Sequence, residues 1–305
     1  MLNGTFQHPT VVLFGKDAEL RVGEEIAKHS KRVLLHFGGG SIKRHGLYDR
    51  VVKSLYDAGI SYVELGGVRP NPRADLVYQG IDLCRKENID FVLAVGGGSV
   101  IDSAKAIALG VPYEGDFFEL FEQKGLARGA LKIGTVLTVP GSGSETSPTA
   151  VITCDERGLK APYTHASILP TFSILNPAIT CTLPPYLTSC GIVDAISHVF
   201  ERYFTNTTYV DCTDRICEGL VKTLMKYAFL VQEAPSDYDV RAEIMWACKL
   251  AHDDTAGFGR KQDWSSHVMA HELGALFDVA HGAALAVIFP AWMRYVSKIL
   301  SLIHI

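Results

Sequence analysis

The chain has 305 residues, 48% hydrophobic and 20% charged, which is enough for a globular protein with two domains. Its 29 basic and 33 acidic side chains give a net charge of -4. Because a nucleic acid or an anionic membrane requires a basic surface, we expect neither as a partner.

The first half of the chain alternates β-rich and helical segments. In chain order they are KRVLLHF, LYDRVVKSLYDAG, ISYVEL, ADLVYQGIDLCRKEN, IDFVLAV and VIDSAKAIALG. This rhythm is typical of βαβ crossovers and predicts a doubly wound parallel sheet. Further strands are predicted at KIGTVLTVP, TAVITC and FSILNP, and the pattern becomes helical after TCTLPP. We therefore predict an α/β domain over residues 1–180 and an all-helical domain over residues 181–305.

Cysteine usage and hydropathy bear on the compartment. The seven cysteines are scattered and never spaced as C-x-x-C, which argues against a disulfide framework and favours a reducing environment. No apolar run approaches the roughly 18 residues that span a bilayer. We therefore expect a cytoplasmic protein.

Two glycine runs each follow a predicted strand and begin a helix. FVLAVGGGSVIDSAKAIA matches neither G-x-G-x-x-G nor a P-loop. Glycine nevertheless lets a ligand approach the backbone, and the free N–H groups of a helix N-terminus attract anions, so we expect phosphate binding here. A tight strand-to-helix turn is the alternative.

The other run, LLHFGGGSIKRHG, follows the second strand of the sheet. An acidic residue at this position would bind the adenosine ribose hydroxyls of NAD. The chain has small neutral residues there, followed by Lys43 and Arg44, which favours NADP over NAD. A flexible turn with solvated basic residues is the alternative.

A third loop, LTVPGSGSETSPTAVIT, offers hydroxyl groups that could line a cofactor cleft.

The segment GIVDAISHVF places Asp194 and His198 one helical turn apart among apolar residues. Burying an unpaired carboxylate is costly, so an ion pair, a helix-end interaction or a metal must compensate it. Downstream, His252, His267, His271 and His281 lie close together in the sequence. HVMAH lacks the glutamate of a zincin. Imidazoles with one carboxylate suit Fe²⁺ or Zn²⁺; satisfied core histidines are the alternative.

Four motifs together resemble the iron-containing (group III) alcohol dehydrogenases, most closely the NADPH-dependent butanol dehydrogenase and aldehyde reductase branch. They are GGGSVIDSAKAIA, GSGSETSPTAVIT, TLPPYLTSCGIVDAISHVFERYF and HVMAHELGALFDVAHGAALAVIFPAWMRY. The resemblance covers essentially the whole chain. It implies a dehydroquinate synthase-like architecture, with an N-terminal dinucleotide-binding α/β domain, a helical metal-binding domain and a cleft between them.

The resemblance also implies site residues. The implied metal ligands are Asp194, His198, His267 and His281, and His271 is the implied proton relay. The implied NADP(H) contacts are Gly38, Gly39, Gly40, Ser41, Lys43, Asn71, Gly97, Gly98, Ser99, Asp102, Thr138, Ser142 and Lys160. Asn176 departs from the family pattern, since most relatives carry aspartate there.

The implied activity is interconversion of small aldehydes and primary alcohols with NADP(H) and Fe²⁺ or Zn²⁺, by a homodimer. Aromatic residues in the histidine-rich region favour small apolar aldehydes: Phe258, Trp264, Phe277, Phe289 and Trp292. Glycerol dehydrogenase-like and dehydroquinate synthase-like reactions share the architecture and are alternatives. Because family members continue beyond Ile305, an inactive chain without the family's C-terminal helices is a further alternative.

Overall fold

A computed structural model describes residues 1–297; residues 298–305 of the predicted helical domain lie outside this range. The chain divides into two compact units. The α/β unit comprises Pro9–Val139 and Ser144–Thr182. The helical unit comprises Met1–His8, Pro140–Gly143 and the described part of the chain from Leu183 onward. None of the helices within residues 1–297 has the length and apolar character needed to cross a membrane.

The α/β unit contains a parallel six-stranded sheet and an antiparallel pair of strands. The strands are β1 (Val11–Phe14), β2 (Arg32–Gly38), β3 (Ser61–Val68), β4 (Phe91–Gly96), β5 (Lys132–Leu137), β6 (Thr149–Cys154), β7 (Leu159–Thr164) and β8 (Phe172–Leu175). Its α-helices are α1 (Val22–Ala27), α2 (Ser41–Arg44), α3 (Leu47–Asp57), α4 (Ala74–Lys86), α5 (Gly98–Gly110) and α6 (Phe118–Phe121). Short 3₁₀ helices occur at Ala18–Arg21, Ser144–Thr146, Ala166–Ile168 and Pro177–Thr182.

Strand order in the large sheet is β1-β8-β5-β4-β2-β3. From β2 the chain passes to β3 on one side and then to β4 on the other, which makes the β2/β4 boundary a topological switch point. In open parallel sheets ligands bind outside the carboxyl ends of the strands at such a point. Both predicted glycine turns follow these two strands, and Phe37 is in register with Val95, so the turns lie side by side at one edge.

Residues of β4 are buried along its whole length, as expected of a central strand covered on both faces. One core cluster fills the face toward α1 and α3 with side chains such as Leu35, Leu93 and Ile174. The predicted fold class is confirmed. Two details differ: TAVITC forms β6 in the antiparallel pair rather than in the large sheet, and β1 and β7 were not predicted.

The helical unit is built around one long central helix. Its helices are α7 (Pro185–Tyr203), α8 (Asp211–Glu233), α9 (Tyr238–His252), α10 (Ser265–Phe277) and α11 (His281–Val296). α7 packs against α8, α9 and α11. It begins with Pro185, whose fixed φ suits the first helical position and whose missing N–H would have no partner there.

Candidate active site

All four predicted metal ligands lie on helices of the helical unit. Asp194 and His198 are one turn apart on α7, His267 is the third residue of α10, and His281 is the first of α11. Oδ1 of Asp194 is 3.5 Å from Nε2 of His198, 3.7 Å from Nε2 of His267 and 3.7 Å from Nε2 of His281. One carboxylate oxygen therefore faces three imidazole nitrogens.

Three of the predicted metal ligands form a compact group: Asp194, His267 and His281. Their ligand atoms all lie within 4.8 Å of one another. His198 lies beside this group. The His198 ring stacks on that of His267, with centroids 4.7 Å apart. Its Nε2 lies 3.5 Å from Oδ1 of Asp194.

Unsatisfied polar atoms show that the donors fit a cation. Asp194 Oδ1 and His267 Nε2 are buried and, among residues 1–297, have no hydrogen-bond partner. Such groups are costly unless something compensates them. A tetrahedral ion about 2.0–2.2 Å from each ligand sets the ligand atoms about 3.3–3.6 Å apart, close to the 3.5–3.7 Å found here. The donor set suits a borderline divalent ion.

The surroundings favour a neutral imidazole at His198. Burial lowers its pKa well below the usual value, and the neighbouring His252 and His267 add to the effect. The His252 ring stacks on it at 4.2 Å, and the Arg202 guanidinium donates to its backbone carbonyl at 2.9 Å. Neutral imidazole is the form that binds metals.

Two glycines let other segments approach α7 at the site. A Cβ on Gly282 would lie 2.0 Å from the carbonyl oxygen of Cys190, and one on Gly191 would lie 2.1 Å from that of Pro140. Only glycine allows such distances. The first contact draws the start of α11, and therefore His281, against the turn of α7 that precedes Asp194.

His271 and the aromatic residues occupy varied environments. The His271 ring lies 5.1 Å from that of His281. Trp264 contacts the site, its ring centroid 5.0 Å from that of His267. Phe289 and Trp292 instead belong to a buried core cluster, and Phe277 is 68% exposed. The contact with His267 therefore sets Trp264 apart from Phe277, Phe289 and Trp292.

Two residues without a predicted role also contact the histidine group. Glu201 Oε1 lies 2.9 Å from Nδ1 of His267, and His252 stacks on His198. Glu201 follows His198 by three residues on the same face of α7, so helical spacing carried a signal. The position of His252 depends on the packing of α9 against α7, which no local pattern shows.

In the α/β unit, Gly97 has extended backbone and α5 begins at Gly98, followed by Ser99. A Cβ on Gly97 would be 3.0 Å from Cβ of Val139. The backbone N–H of Thr138 donates to the carbonyl of Gly96 at 3.0 Å. This arrangement exposes the start of α5 to an anion at the carboxyl edge of the sheet.

The glycine turn after β2 is open. Gly38 ends the strand, Gly40 has a φ of 97°, and Ser41 begins α2. A Cβ on Gly39 would meet nothing within 4 Å. Lys43 does not point freely into solvent: its Nζ donates to Glu64 at 2.9 Å and lies 4.4 Å from the centre of the Tyr48 ring.

Two predicted cofactor contacts that are distant in sequence meet in the fold. Lys160 on β7 donates to the side-chain oxygen of Asn71 at 2.8 Å. Asn71 has a φ of 53°, in the left-handed region that asparagine tolerates better than most residues.

Ser142 lies in the helical unit, in the segment Pro140–Gly143.

A buried lysine on α5 fixes the third predicted loop. Lys105 is 0% exposed, and its Nζ donates to the carbonyls of Ser144, Ser147 and Thr149 at 2.7–2.8 Å. Burial lowers the pKa of Lys105 to about 8. Asp102, one turn earlier, accepts from the Ser144 hydroxyl at 2.6 Å and from the Val151 N–H at 3.0 Å. The Asp102 carboxylate therefore holds this loop in place.

Comparison with known proteins identifies the class. Residues 9–177 match the family model "Iron-containing alcohol dehydrogenase", and residues 188–301 match "Fe-containing alcohol dehydrogenase family, C-terminal". The two models together cover both halves of the chain. The chain belongs to the iron-containing alcohol dehydrogenase family.

Individual relatives agree with this assignment. The chain is 42% identical to NADH-dependent butanol dehydrogenase A of Clostridium acetobutylicum, over 97% of this chain and 76% of that one. It is 38% identical to the NADPH-dependent aldehyde reductase YqhD of Escherichia coli K12, over 95% and 75%. Among solved structures, NADH-dependent butanol dehydrogenase A of Thermotoga maritima superposes with a TM-score of 0.96 at 42% identity, covering 98% of this chain and 75% of that one.

Proposed function

We propose that this protein interconverts small aldehydes and primary alcohols, using NADP(H) and a divalent metal, Fe²⁺ or Zn²⁺. The observation that carries the proposal is the buried Asp194 oxygen, 3.5–3.7 Å from three histidine nitrogens, in a chain of this family. Relatives named as butanol dehydrogenases and an aldehyde reductase support the substrate class.

Within this proposal Asp194, His198, His267 and His281 hold the ion. When bound, the ion supplies Lewis acidity toward a carbonyl oxygen, and the nicotinamide supplies or accepts hydride. His271, whose ring neighbours that of His281, exchanges the alcohol proton at a ring nitrogen. Trp264 packs on His267 and keeps water from the buried donors.

The choice of NADP(H) rests on the turn after β2, where Gly38, Gly39, Gly40 and Ser41 place no carboxylate to bind ribose hydroxyls. Lys43 donates a hydrogen bond to Glu64, and this negative partner weakens its attraction for a 2′-phosphate. Among the relatives, the Clostridium enzyme is named as NADH-dependent and the Escherichia coli enzyme as NADPH-dependent. We assign the diphosphate to Gly97, Gly98 and Ser99 at the start of α5, and the resemblance to the family supports Asn71, Asp102, Thr138, Ser142 and Lys160 as further cofactor contacts.

Kinetics with a metal-loaded protein test the proposal. Chelator-treated protein reloaded with Fe²⁺ or Zn²⁺ should oxidise NADPH in the presence of butanal, and His267→Ala should abolish the reaction. His29→Ala, which lies in the α/β unit, is the matched control and should keep it. Equal turnover by the His267 and His29 variants would refute the metal site.

Gly39→Asp tests the cofactor assignment in the same assay. The new side chain enters open space, so folding is spared. Its carboxylate should repel a 2′-phosphate and accept ribose hydroxyls, raising KM for NADPH and lowering KM for NADH, with kcat little changed. A variant with unchanged cofactor preference would contradict NADP(H) binding at this turn.

We further infer a homodimer in the cytoplasm. The resemblance to the family suggests the dimer, and all seven cysteines are free, as a reducing compartment requires. Light scattering on the purified protein should give twice the 33.3 kDa mass of the chain.

A further inference from the structure

Glu201 is a buried acid on α7 outside the predicted ligand set. The residue is 1% exposed, and it lies on the face of α7 that carries Asp194 and His198. Burying a carboxylate is costly, so its contacts indicate what it does.

Every hydrogen bond made by the Glu201 side chain within residues 1–297 goes to His267. Oε1 lies 3.0 Å from the backbone N of His267 and 2.9 Å from its Nδ1. His267 is the third residue of α10, where a backbone N–H has no partner within the helix. The backbone carbonyl of Glu201 also accepts from the N–H of Asp263 at 2.9 Å, so one residue of α7 anchors the start of α10 twice.

The contact at Nδ1 determines which nitrogen of His267 is available. A carboxylate is an acceptor, so Nδ1 carries a ring proton, and in the neutral imidazole that binds metals the lone pair then lies on Nε2. That Nε2 is buried, has no hydrogen-bond partner among the described residues and lies 3.7 Å from Asp194 Oδ1. Carboxylates placed behind metal-binding histidines fix the tautomer and ring orientation in this way.

We propose that Glu201 is a positioning residue: its carboxylate holds His267 in the tautomer and orientation that present Nε2 to a divalent cation shared with Asp194. This inference rests on the metal site of the proposed function. The rival explanation is that Glu201 only caps the N-terminus of α10. A cap contributes to folding stability and has no effect on how the folded protein binds metal.

Asp263 provides a matched control for the cap. Its Oδ1 accepts from the backbone N–H of Ser265, the first residue of α10, at 2.9 Å, so it caps the same helix end with no hydrogen bond to the His267 ring. Asp263→Ala should lower the melting temperature of the metal-free protein and leave metal affinity unchanged.

The experiment uses Co²⁺ alone as the probe, with affinity measured by chelator competition and ligand geometry by the visible absorption of the bound ion. Glu201→Ala should weaken Co²⁺ binding about 10- to 100-fold and alter the spectrum. Glu201→Gln, which keeps an acceptor oxygen and the side-chain size but removes the charge, should show a smaller loss of affinity and a spectrum near that of the wild type.

The outcomes separate the two hypotheses. Wild-type affinity and spectrum in Glu201→Ala, with a melting temperature lowered as in Asp263→Ala, would leave Glu201 as a cap only. If Glu201→Ala does not fold, wild-type affinity in Glu201→Gln overturns the role of the carboxylate. If the wild type itself binds Co²⁺ no better than His267→Ala, the metal site of the proposed function fails, whatever Glu201 does.

Discussion

At the scale of single residues, His36 is a buried histidine with both ring nitrogens engaged. It is 0% exposed, with Nδ1 2.8 Å from the carbonyl oxygen of Leu65 and Nε2 2.9 Å from the Ser103 hydroxyl. A carbonyl only accepts, so Nδ1 carries the proton and Nε2 accepts from the hydroxyl. The ring is therefore neutral, and burial lowers its pKa to about 4.

This histidine makes stability depend on pH. The unfolded chain, with a histidine pKa of about 6.5, takes up the proton first as pH falls, so stability is full above about pH 6.5 and declines toward pH 4. Between pH 7 and pH 5 the loss is about 2 kcal/mol. Urea unfolding at both pH values should therefore show a loss about 2 kcal/mol larger in the wild type than in His36→Gln. The exposed His45→Gln is the control and should follow the wild type; equal losses in all three proteins would contradict the assignment.

At the scale of elements, the approach of α11 to α7 depends on Gly282. An added Cβ would meet the Cys190 carbonyl at 2.0 Å, so Gly282→Ala must push α11 away and carry His281 from Asp194. We expect a loss of stability of about 1–3 kcal/mol, together with weaker metal binding, measurable by thermal unfolding and Zn²⁺ titration.

A second glycine on a helix of the same unit is the control for that substitution. Gly219 lies inside α8, and a Cβ added there would meet nothing within 4 Å. Gly219→Ala should stabilise the protein by about 0.5–1 kcal/mol, because alanine loses less entropy in a helix. Similar effects of the two substitutions would show that the contact at Cys190 does not matter.

The strands and helices that could be predicted from sequence are those with a distinct apolar run or a clear boundary signal. β4 and α5 are of this kind, because the strand is apolar throughout and the glycine turn marks where the helix starts. β7 could not be predicted because it is short and contains Pro162, whose missing backbone N–H argues against a strand, and it is stabilised by pairing with β6. Propensity is a weak guide where tertiary pairing decides.

The same limit applies to the candidate site. Asp194 and His198 stand out because they are polar residues in an apolar helix. Glu201, in contrast, is followed by Arg202, and two adjacent charged residues predict a solvent-exposed segment. Both side chains are buried. Its partner His267 is 66 residues away, and a pairing across that distance is decided by the tertiary packing that brings the start of α10 to Glu201.

At the scale of the whole molecule, the predicted metal ligands belong to the helical unit and all predicted dinucleotide contacts except Ser142 belong to the α/β unit. A ligand stabilises the state that binds it, by about 2.7 kcal/mol at 100 times its Kd. Zn²⁺ added without nucleotide should therefore slow hydrogen exchange most in α7, α10 and α11. Mass spectrometry with and without Zn²⁺ measures this, and His267→Ala should remove the effect. Equal slowing in β2 and β4 would contradict a separate metal response.

The enclosed amine of Lys105 gives the α/β unit an internal reporter of breathing motions. With a pKa near 8, much of it is uncharged at mildly alkaline pH, the form that acylating reagents attack, yet the carbonyls of Ser144, Ser147 and Thr149 enclose it. Covalent labelling must wait until that loop detaches. The labelling rate of this one amine therefore measures how often the loop opens in the otherwise folded protein.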